Sequence, residues 1–237
     1  MLAGISGVLQ VSETRHTLRY VNGLVHFAVA GTAGSGKSSL INSSRGLRAS
    51  DLGRPLALSE TTTTVVRYED PDLANNPYVW YDIPGVGTLN QPEAGYFLDQ
   101  GLFIFDCIII IFDARFTSAD IAILHCCKTL HIPAYIVRSK ALMHIRNMVE
   151  DMIGRGSTTG DWQIYWRQAR AKFVMETQAT VNDNLKAAGL EEQRLYVVDK
   201  QTMLQFVSEE DPGDNLLHER ELLYDVLNEI KRGREAH

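Results

Sequence analysis

Leu24-Val25-His26-Phe27-Ala28-Val29-Ala30-Gly31-Thr32-Ala33-Gly34-Ser35-Gly36-Lys37-Ser38-Ser39 is the stretch that decides the fold. Leu24 to Ala30 is an apolar run of strand character that leads straight into a glycine-rich loop, and Lys37 to Arg45 continues as a helix-compatible segment. From Gly31 the spacing is G-x-x-x-x-G-K-S, and each residue type in it has a physical reason. Gly31 and Gly36 permit backbone conformations and close approach that a Cβ would block. Main-chain N–H groups through Gly34, Ser35, Gly36 and on to Ser39 then face a concavity. With the positive end of the following helix they hold phosphate oxygens. Lys37 reaches the outer phosphates, and the Ser38 hydroxyl ligates Mg²⁺. The plain alternative is a glycine-rich turn before a helix. A strand before the loop and a helix after it are what the phosphate mechanism requires.

This loop alone does not separate a GTPase from an ATPase or a small kinase. A second motif does: Asp82-Ile83-Pro84-Gly85 follows the strand Tyr78 to Asp82, about 45 residues beyond Lys37, with the D-x-x-G spacing of a GTPase switch. Asp82 would hold Mg²⁺ through water, and the Gly85 N–H would contact the γ-phosphate. Thr61-Thr62-Thr63-Thr64 lies between the two motifs, where a hydroxyl completes the Mg²⁺ shell when γ-phosphate is present. Thr62 and Thr63 are the candidates there, although threonines also simply favour strands.

Strands and helices alternate along the rest of the chain. Thr64 to Glu69 and Tyr78 to Asp82 are separated by Asp70-Pro71-Asp72 and Asn75-Asn76-Pro77, turn chemistry that predicts an antiparallel pair. Cys107 to Phe112 is apolar throughout, as a strand buried on both faces should be. Ser118 to Leu130 reads as a helix capped by Thr117 or Ser118, followed by a strand over Pro133 to Arg138. Trp162 to Ala188 is a long helix closed by Gly189; Leu195 to Asp199 is the last strand and Leu216 to Ile230 the last helix. Residues 1–20, 46–63, 141–160 and 208–214 carry no firm pattern. The expected fold is α/β: a P-loop GTPase domain with a mainly parallel six-stranded sheet, one antiparallel edge strand and helices on both faces. It spans residues 24–232, with a short N-terminal extension over 1–23 and a tail over 233–237.

At these residues the sequence resembles the interferon-inducible, immunity-related GTPases, relatives in the dynamin-like class. The resemblance is carried by FAVAGTAGSGKSSLINSSRGL (27–47), VWYDIPGVGTLNQPEAGYF (79–97), FDCIIIIFDARFTSADIAI (105–123) and YIVRSK (135–140). The stretch Asn42 to Gly46 and the pair Arg115-Phe116 are more family-specific than the phosphate loop. The resemblance implies a GTPase fold, GTP as substrate and GDP as product, slow hydrolysis, and a homodimer formed across the nucleotide face. In many members it also implies action at intracellular membranes, for which this sequence offers no support of its own. Such proteins carry further helices before and after the GTPase domain, and this chain reads as that domain alone.

The family's base-reading motif is T-K-x-D, whose aspartate accepts hydrogen bonds from guanine. Here the matching run is Ser139-Lys140-Ala141-Leu142, so Ser139 and Lys140 can still cradle the base but leucine has no acceptor. A charged hydrogen bond of this kind is worth about 1.5–3 kcal/mol. Asp199, in Val198-Asp199-Lys200 after the last strand, is a replacement acceptor, or else a strand-end cap or surface ion pair. Without a replacement the chain would bind GDP weakly or accept other purines. After Gly85 many GTPases place a glutamine that orients the attacking water. Val86 cannot do this, so water positioning falls to the backbone, to Thr88 or to a second subunit.

Composition narrows the classes further. A formal net charge of −6 over 237 residues argues against a nucleic-acid binder that relies on a basic field. The longest apolar run is far short of the roughly 20 residues a bilayer needs. Met1 to Gln10 lacks the basic start of a secretory signal. Three cysteines, Cys107, Cys126 and Cys127, form neither a metal pattern nor a disulfide framework, which fits reduced thiols in a cytoplasmic protein. His125 and His131 lack metal-ligand geometry, and His144 beside Arg146 reads as a solvated loop. Three function classes follow: a Mg²⁺-dependent GTP hydrolase, a non-catalytic nucleotide-dependent interaction module, and a P-loop kinase or ATPase. The threonine cluster and D-x-x-G disfavour the last.

Overall fold

The computed structural model describes residues 2–48, 51, 64–86, 93–153 and 162–235. Six strands make one sheet: β1 (Val25–Ala30), β2 (Val66–Glu69), β3 (Tyr78–Asp82), β4 (Cys107–Phe112), β5 (Ala134–Arg138) and β6 (Leu195–Val197), in the order β2-β3-β1-β4-β5-β6. β1 pairs in parallel with β3 and β4, β4 with β5, and β5 with β6. β2 runs antiparallel to β3, with Val66 opposite Asp82, as the turn chemistry between them requires. Every residue of β1 and β4 is buried, whereas edge strand β2 is half-buried to exposed. Central parallel strands are covered on both faces, which is why β4 is apolar throughout and β1 is apolar but for the buried His26.

The helices divide between the two faces. Among the described residues they are α1 (Leu2–Thr17), α2 (Lys37–Ser44), α3 (Glu93–Asp99), α4 (Ser118–Leu130), α5 (Ala141–Ile153), α6 (Trp162–Ala187), α7 (Lys200–Val207) and α8 (Glu219–Glu235). One face, built on Ala28, Tyr81, Ile108 and Ile110, takes Phe97 of α3, Ile123 of α4, Ile145 of α5 and Phe173 of α6. The other, built on Phe27, Trp80, Ile109 and Ile111, takes Ile41 of α2, Met203 of α7 and Val226 of α8. Cys107 and Cys127 are core filler.

Four elements lie where the sequence carried no firm pattern or none was read. α5 occupies residues expected as loop, presenting Ala141, Ile145 and Val149 inward at a spacing of four. α3 and α7 are short connections that turn out helical. α1 has no continuous apolar stripe: Val11 and, just past its end, Leu18 pack against the core, and polar contacts tie down the segment that follows. Tyr81, wholly buried on β3, donates to the Leu18 carbonyl at the end of α1 (3.0 Å). It also meets His26 Nδ1 at 3.1 Å. The Tyr20 hydroxyl donates to Asp106 (2.9 Å) and its ring stacks on His26 at 3.8 Å. The residue that anchors α1 is thus the neighbour of Asp82 in the same strand.

Tyr81→Phe keeps the ring but leaves the Leu18 carbonyl and His26 without this partner. It is expected to lower stability by about 1–2 kcal/mol in a denaturant titration. It should also accelerate hydrogen exchange in residues 2–17. Unchanged exchange there would show that α1 is held by other contacts.

Candidate functional site

The site is assembled at the carboxyl ends of β1 and β3, where the chain leaves the sheet. Gly31 has a φ of 137°, and a Cβ there would lie 2.0 Å from the Ile111 carbonyl oxygen of β4. Only glycine lets the loop pass this close. On its other side the loop meets the D-x-x-G segment: a Cβ on Gly85 would lie 2.6 Å from the Ala33 nitrogen. The two segments are stitched together by Ile83 N to Val29 O (3.1 Å) and Val86 N to Gly31 O (3.2 Å). The Tyr96 hydroxyl of α3 fixes the Pro84 carbonyl at 2.7 Å. The two motifs, far apart in sequence, therefore share one wall.

Lys37 opens α2 and is buried, with Nζ donating to the carbonyls of Gly31 (3.3 Å) and Thr32 (3.0 Å). Burial pulls its pKa down, while the carboxylates of Asp82 and Asp120 oppose that shift. The Ser38 hydroxyl donates to Asp82 Oδ2. Ser35 Oγ, 1% exposed as a residue, has no hydrogen-bond partner among the described residues. A buried hydroxyl of this kind in a turn of main-chain amides suits a phosphate oxygen. The donor set also suits Mg²⁺, which takes oxygen ligands, few of them from protein. Ser38 and Asp82 bring one hydroxyl and one carboxylate together, and among the described residues no group of three His, Cys, Asp or Glu side chains offers a denser metal site.

Asp120 was not anticipated as part of this site. It is wholly buried and accepts from Thr117 N and Thr117 Oγ1, both at 2.8 Å, in a capping box at the start of α4. The T-x-x-D spacing was visible in the sequence, but the long-range field on Lys37 was not.

Beside the phosphate loop lies a cavity of about 240 Å³, walled by Gly36, Ser39, Leu40, Ile111, Ser139, Lys140, Met143, Val198, Asp199 and Lys200. The residues matching the base-reading motif and those following the last strand thus meet in one place. Ser139 is buried and donates to the Ser35 carbonyl at 2.6 Å, joining this cavity to the phosphate loop. Lys140 Nζ is drawn to Asp113 Oδ2 at 2.7 Å. The other oxygen of Asp113 meets His144 Nε2 at 2.6 Å; burial pushes the Asp113 carboxyl up, but the hydrogen bonds with Lys140 and His144 hold it below its usual pKa. His144 therefore does not sit in a solvated loop: it lies on α5, half-buried, its ring stacked 5.5 Å from Phe173. Met143, not Leu142, lines the cavity.

Asp199 is the N-cap of α7, with Oδ1 accepting from Gln201 N at 2.9 Å. The cap expectation is met by Oδ1, and the residue is also one of those lining the cavity. Its main-chain N–H donates to Glu219 Oε1 (2.8 Å), and Glu219 Oε2 accepts from Leu217 N (2.7 Å). Glu219 is wholly buried, a residue sequence reading missed, because its role depends on two loops meeting far from each other along the chain.

Thr62, Thr63 and Thr88 lie outside the described residues; Thr64 is exposed just before β2. Val86 is described, and its side chain packs against the main core. Arg115 is exposed, while the Phe116 ring packs 5.3 Å from Phe112. No helix among the described residues is long and apolar enough to cross a membrane.

Residues 7–206 match the family model described as Interferon-inducible GTPase. The chain belongs to the interferon-inducible GTPase family. Among curated relatives in this family, mouse Interferon-inducible GTPase 1 is 34% identical over 125 residues, covering 52% of this chain and 30% of its own. Mouse T-cell-specific guanine nucleotide triphosphate-binding protein 2 is 34% identical over 117 residues, covering 49% and 28%. The rat Immunity-related GTPase family M protein is 23% identical over 192 residues, covering 81% and 41%. The chain thus spans less than half the length of these relatives. Among solved structures, bacterial selenocysteine-specific elongation factor EF-Sec aligns with a TM-score of 0.44 at 15% identity, covering 78% of this chain and 27% of that one.

Burial raises the Glu219 carboxyl from 4.5 to about 7, against the hydrogen bonds from Asp199 and Leu217 that favour the anion. A folded-state pKa above the unfolded value means the native chain holds this proton more tightly. The stabilisation is complete below about pH 4.5 and is lost as pH rises through about 7, amounting to about 3 kcal/mol. Comparing wild type with Glu219→Gln in urea titrations from pH 5 to 8 should isolate this term: the stability difference between them shifts in favour of the glutamine variant as pH rises. A pH-independent difference would contradict the assignment.

Proposed function

We propose that this chain binds GTP and GDP with Mg²⁺, hydrolyses GTP slowly in the cytoplasm, and is accelerated when two copies pair across the nucleotide face. The observation that carries this reading is the convergence of Lys37, Ser38 and Asp82 on one turn of main-chain amides, with the Ser38 hydroxyl already donating to Asp82. Lys37 and the amides of Gly34 to Ser39 neutralise the phosphate tail. Ser38 and Asp82, with Thr62 or Thr63, would hold Mg²⁺, which when bound adds charge stabilisation at the outer phosphates. Ser139, Lys140, Asp199 and Lys200 are the polar residues of the strand ends that line the base cavity beside the loop. The family names of the relatives support guanine nucleotide as the ligand.

Slow hydrolysis follows from Val86. The position after Gly85 is apolar and turned to the core, so no side chain there orients a water. Electrostatic stabilisation by Lys37 and the loop amides persists without it. The same valine, with Leu142 in place of an acceptor, favours a second reading: a nucleotide-dependent interaction module that binds and scarcely cleaves.

Phosphate release from Mg²⁺ with GTP or ATP, measured across a hundredfold range of protein concentration, separates these. The expected result is slow release from GTP, faster per subunit at high concentration. Lys37→Ala should weaken GTP binding ten- to hundredfold or more, the loss of charged hydrogen bonds worth about 1.5–3 kcal/mol each. A per-subunit rate that stays flat on dilution counts against pairing. Tight GTP binding without release selects the interaction module, and release from ATP alone removes the GTPase reading.

A further inference from the structure

The family's base-reading aspartate is a leucine here, yet the cavity that would take the base is intact and contains one carboxylate. Of its lining residues only Asp199 is acidic. Its side chain is not a solvated surface group: the residue is 9% exposed. Oδ1 is occupied by the Gln201 amide, and Oδ2 has no hydrogen bond among the described residues. A carboxylate has acceptor capacity for several donors, so capping a helix with one oxygen leaves the other for a ligand. The surrounding walls of Leu40, Ile111, Met143 and Val198 are apolar, as the faces of a planar heterocycle require.

The position of Asp199 is itself fixed. Its main-chain N–H is held by Glu219 Oε1, while Glu219 Oε2 holds Leu217 N, so one buried side chain clamps the loop after β6 to the loop before α8. Two carboxylates this close repel, and the Asp199 charge contributes to disfavouring ionised Glu219. A hydrophobic residue at 219 would avoid that cost but would leave both amides unpaired in the interior. The arrangement is costly for stability and specific in geometry.

We propose that Asp199 reads the nucleotide base in this chain, and that Glu219 is the positioning residue that holds it to the cavity. The inference rests on the guanine-nucleotide reading above and deepens it by naming the group that recognises the base: guanine presents two adjacent N–H donors, N1–H and the 2-amino group, to the acceptor capacity that the α7 cap leaves at Asp199. Adenine offers no such pair. Inosine lacks the amino group, and xanthine presents a carbonyl where guanine presents a donor. Leu142 takes no part.

The test is a set of dissociation constants for GDP, IDP, XDP and ADP with Mg²⁺, for wild type, Asp199→Asn, Glu219→Gln and the double variant. Asparagine is as good an N-cap as aspartate, so Asp199→Asn keeps the α7 cap and the fold. Wild type should prefer GDP over IDP by about tenfold or more. Asp199→Asn should weaken GDP about tenfold and strengthen XDP relative to GDP, because the amide can donate to the xanthine carbonyl, with ADP affinity unchanged. Glu219→Gln should reduce the GDP preference without changing ADP affinity, and should add nothing once Asp199 is asparagine. If wild type prefers GDP and Asp199→Asn leaves the GDP to XDP ratio as it was, another group reads the base and the proposal fails while the nucleotide reading stands. Equal affinity for all four in wild type also overturns it. Binding of none of them would overturn the nucleotide reading itself, and this inference with it.

Discussion

One steric constraint organises this molecule: the loop between β1 and α2 must pass without a side chain between the Ile111 carbonyl on one side and the Gly85 segment on the other. Glycine at positions 31 and 85 makes the passage possible, and main-chain hydrogen bonds from Ile83 and Val86 lock it. The loop amides then converge at the opening of α2, where their partial charge is unopposed by any carboxylate of that helix's first turn. Everything else in the site is placed relative to this turn: Lys37 folded back over its carbonyls, Ser38 against Asp82, Ser139 on the Ser35 carbonyl.

The site is also where the protein places charge against solvation. Lys37, Asp82 and Asp120 are buried together, and Glu219 is buried on the base side. Removing charges from water costs several kcal/mol per ion, and their mutual attraction offsets this only in good geometry. A fold optimised for stability alone would fill these positions with apolar side chains. They gather at one end of the sheet, beside the phosphate loop, where Asp120 caps α4 and Glu219 joins two loops, and buried titratable groups of this kind concentrate at functional sites.

Much of this was legible from sequence because the relevant signals are local. The apolar runs at Val25–Ala30, interrupted only by His26, and Cys107–Phe112 read as central strands, the proline and asparagine turns before Tyr78 gave the antiparallel edge, and G-x-x-x-x-G-K-S specified its own strand and helix. α5 was also written locally, in the spacing of Ala141, Ile145 and Val149, but the glycines that follow at 154, 156 and 160 obscure that pattern within the segment 141–160. What could not be read are the contacts made across long stretches of chain. α1 is fixed by Tyr81, Tyr20 and Asp106 rather than by an apolar stripe. His144 belongs with Asp113, and Glu219 with Asp199. Asp199 reads in sequence as a cap, a surface ion pair or a base contact; the structure shows the cap on Oδ1 and places the residue at the cavity, a meeting of β6, α7 and the phosphate loop that no local pattern encodes.

The most direct test of the central claim is a calorimetric titration of the purified chain with a non-hydrolysable GTP analogue, with Mg²⁺ and with the metal chelated. If the amide turn, Lys37 and the Ser38–Asp82 pair form a triphosphate site, binding is saturable at one site per chain and weakens sharply when the metal is removed. No saturable heat in either condition, from chain that melts cooperatively, would contradict it.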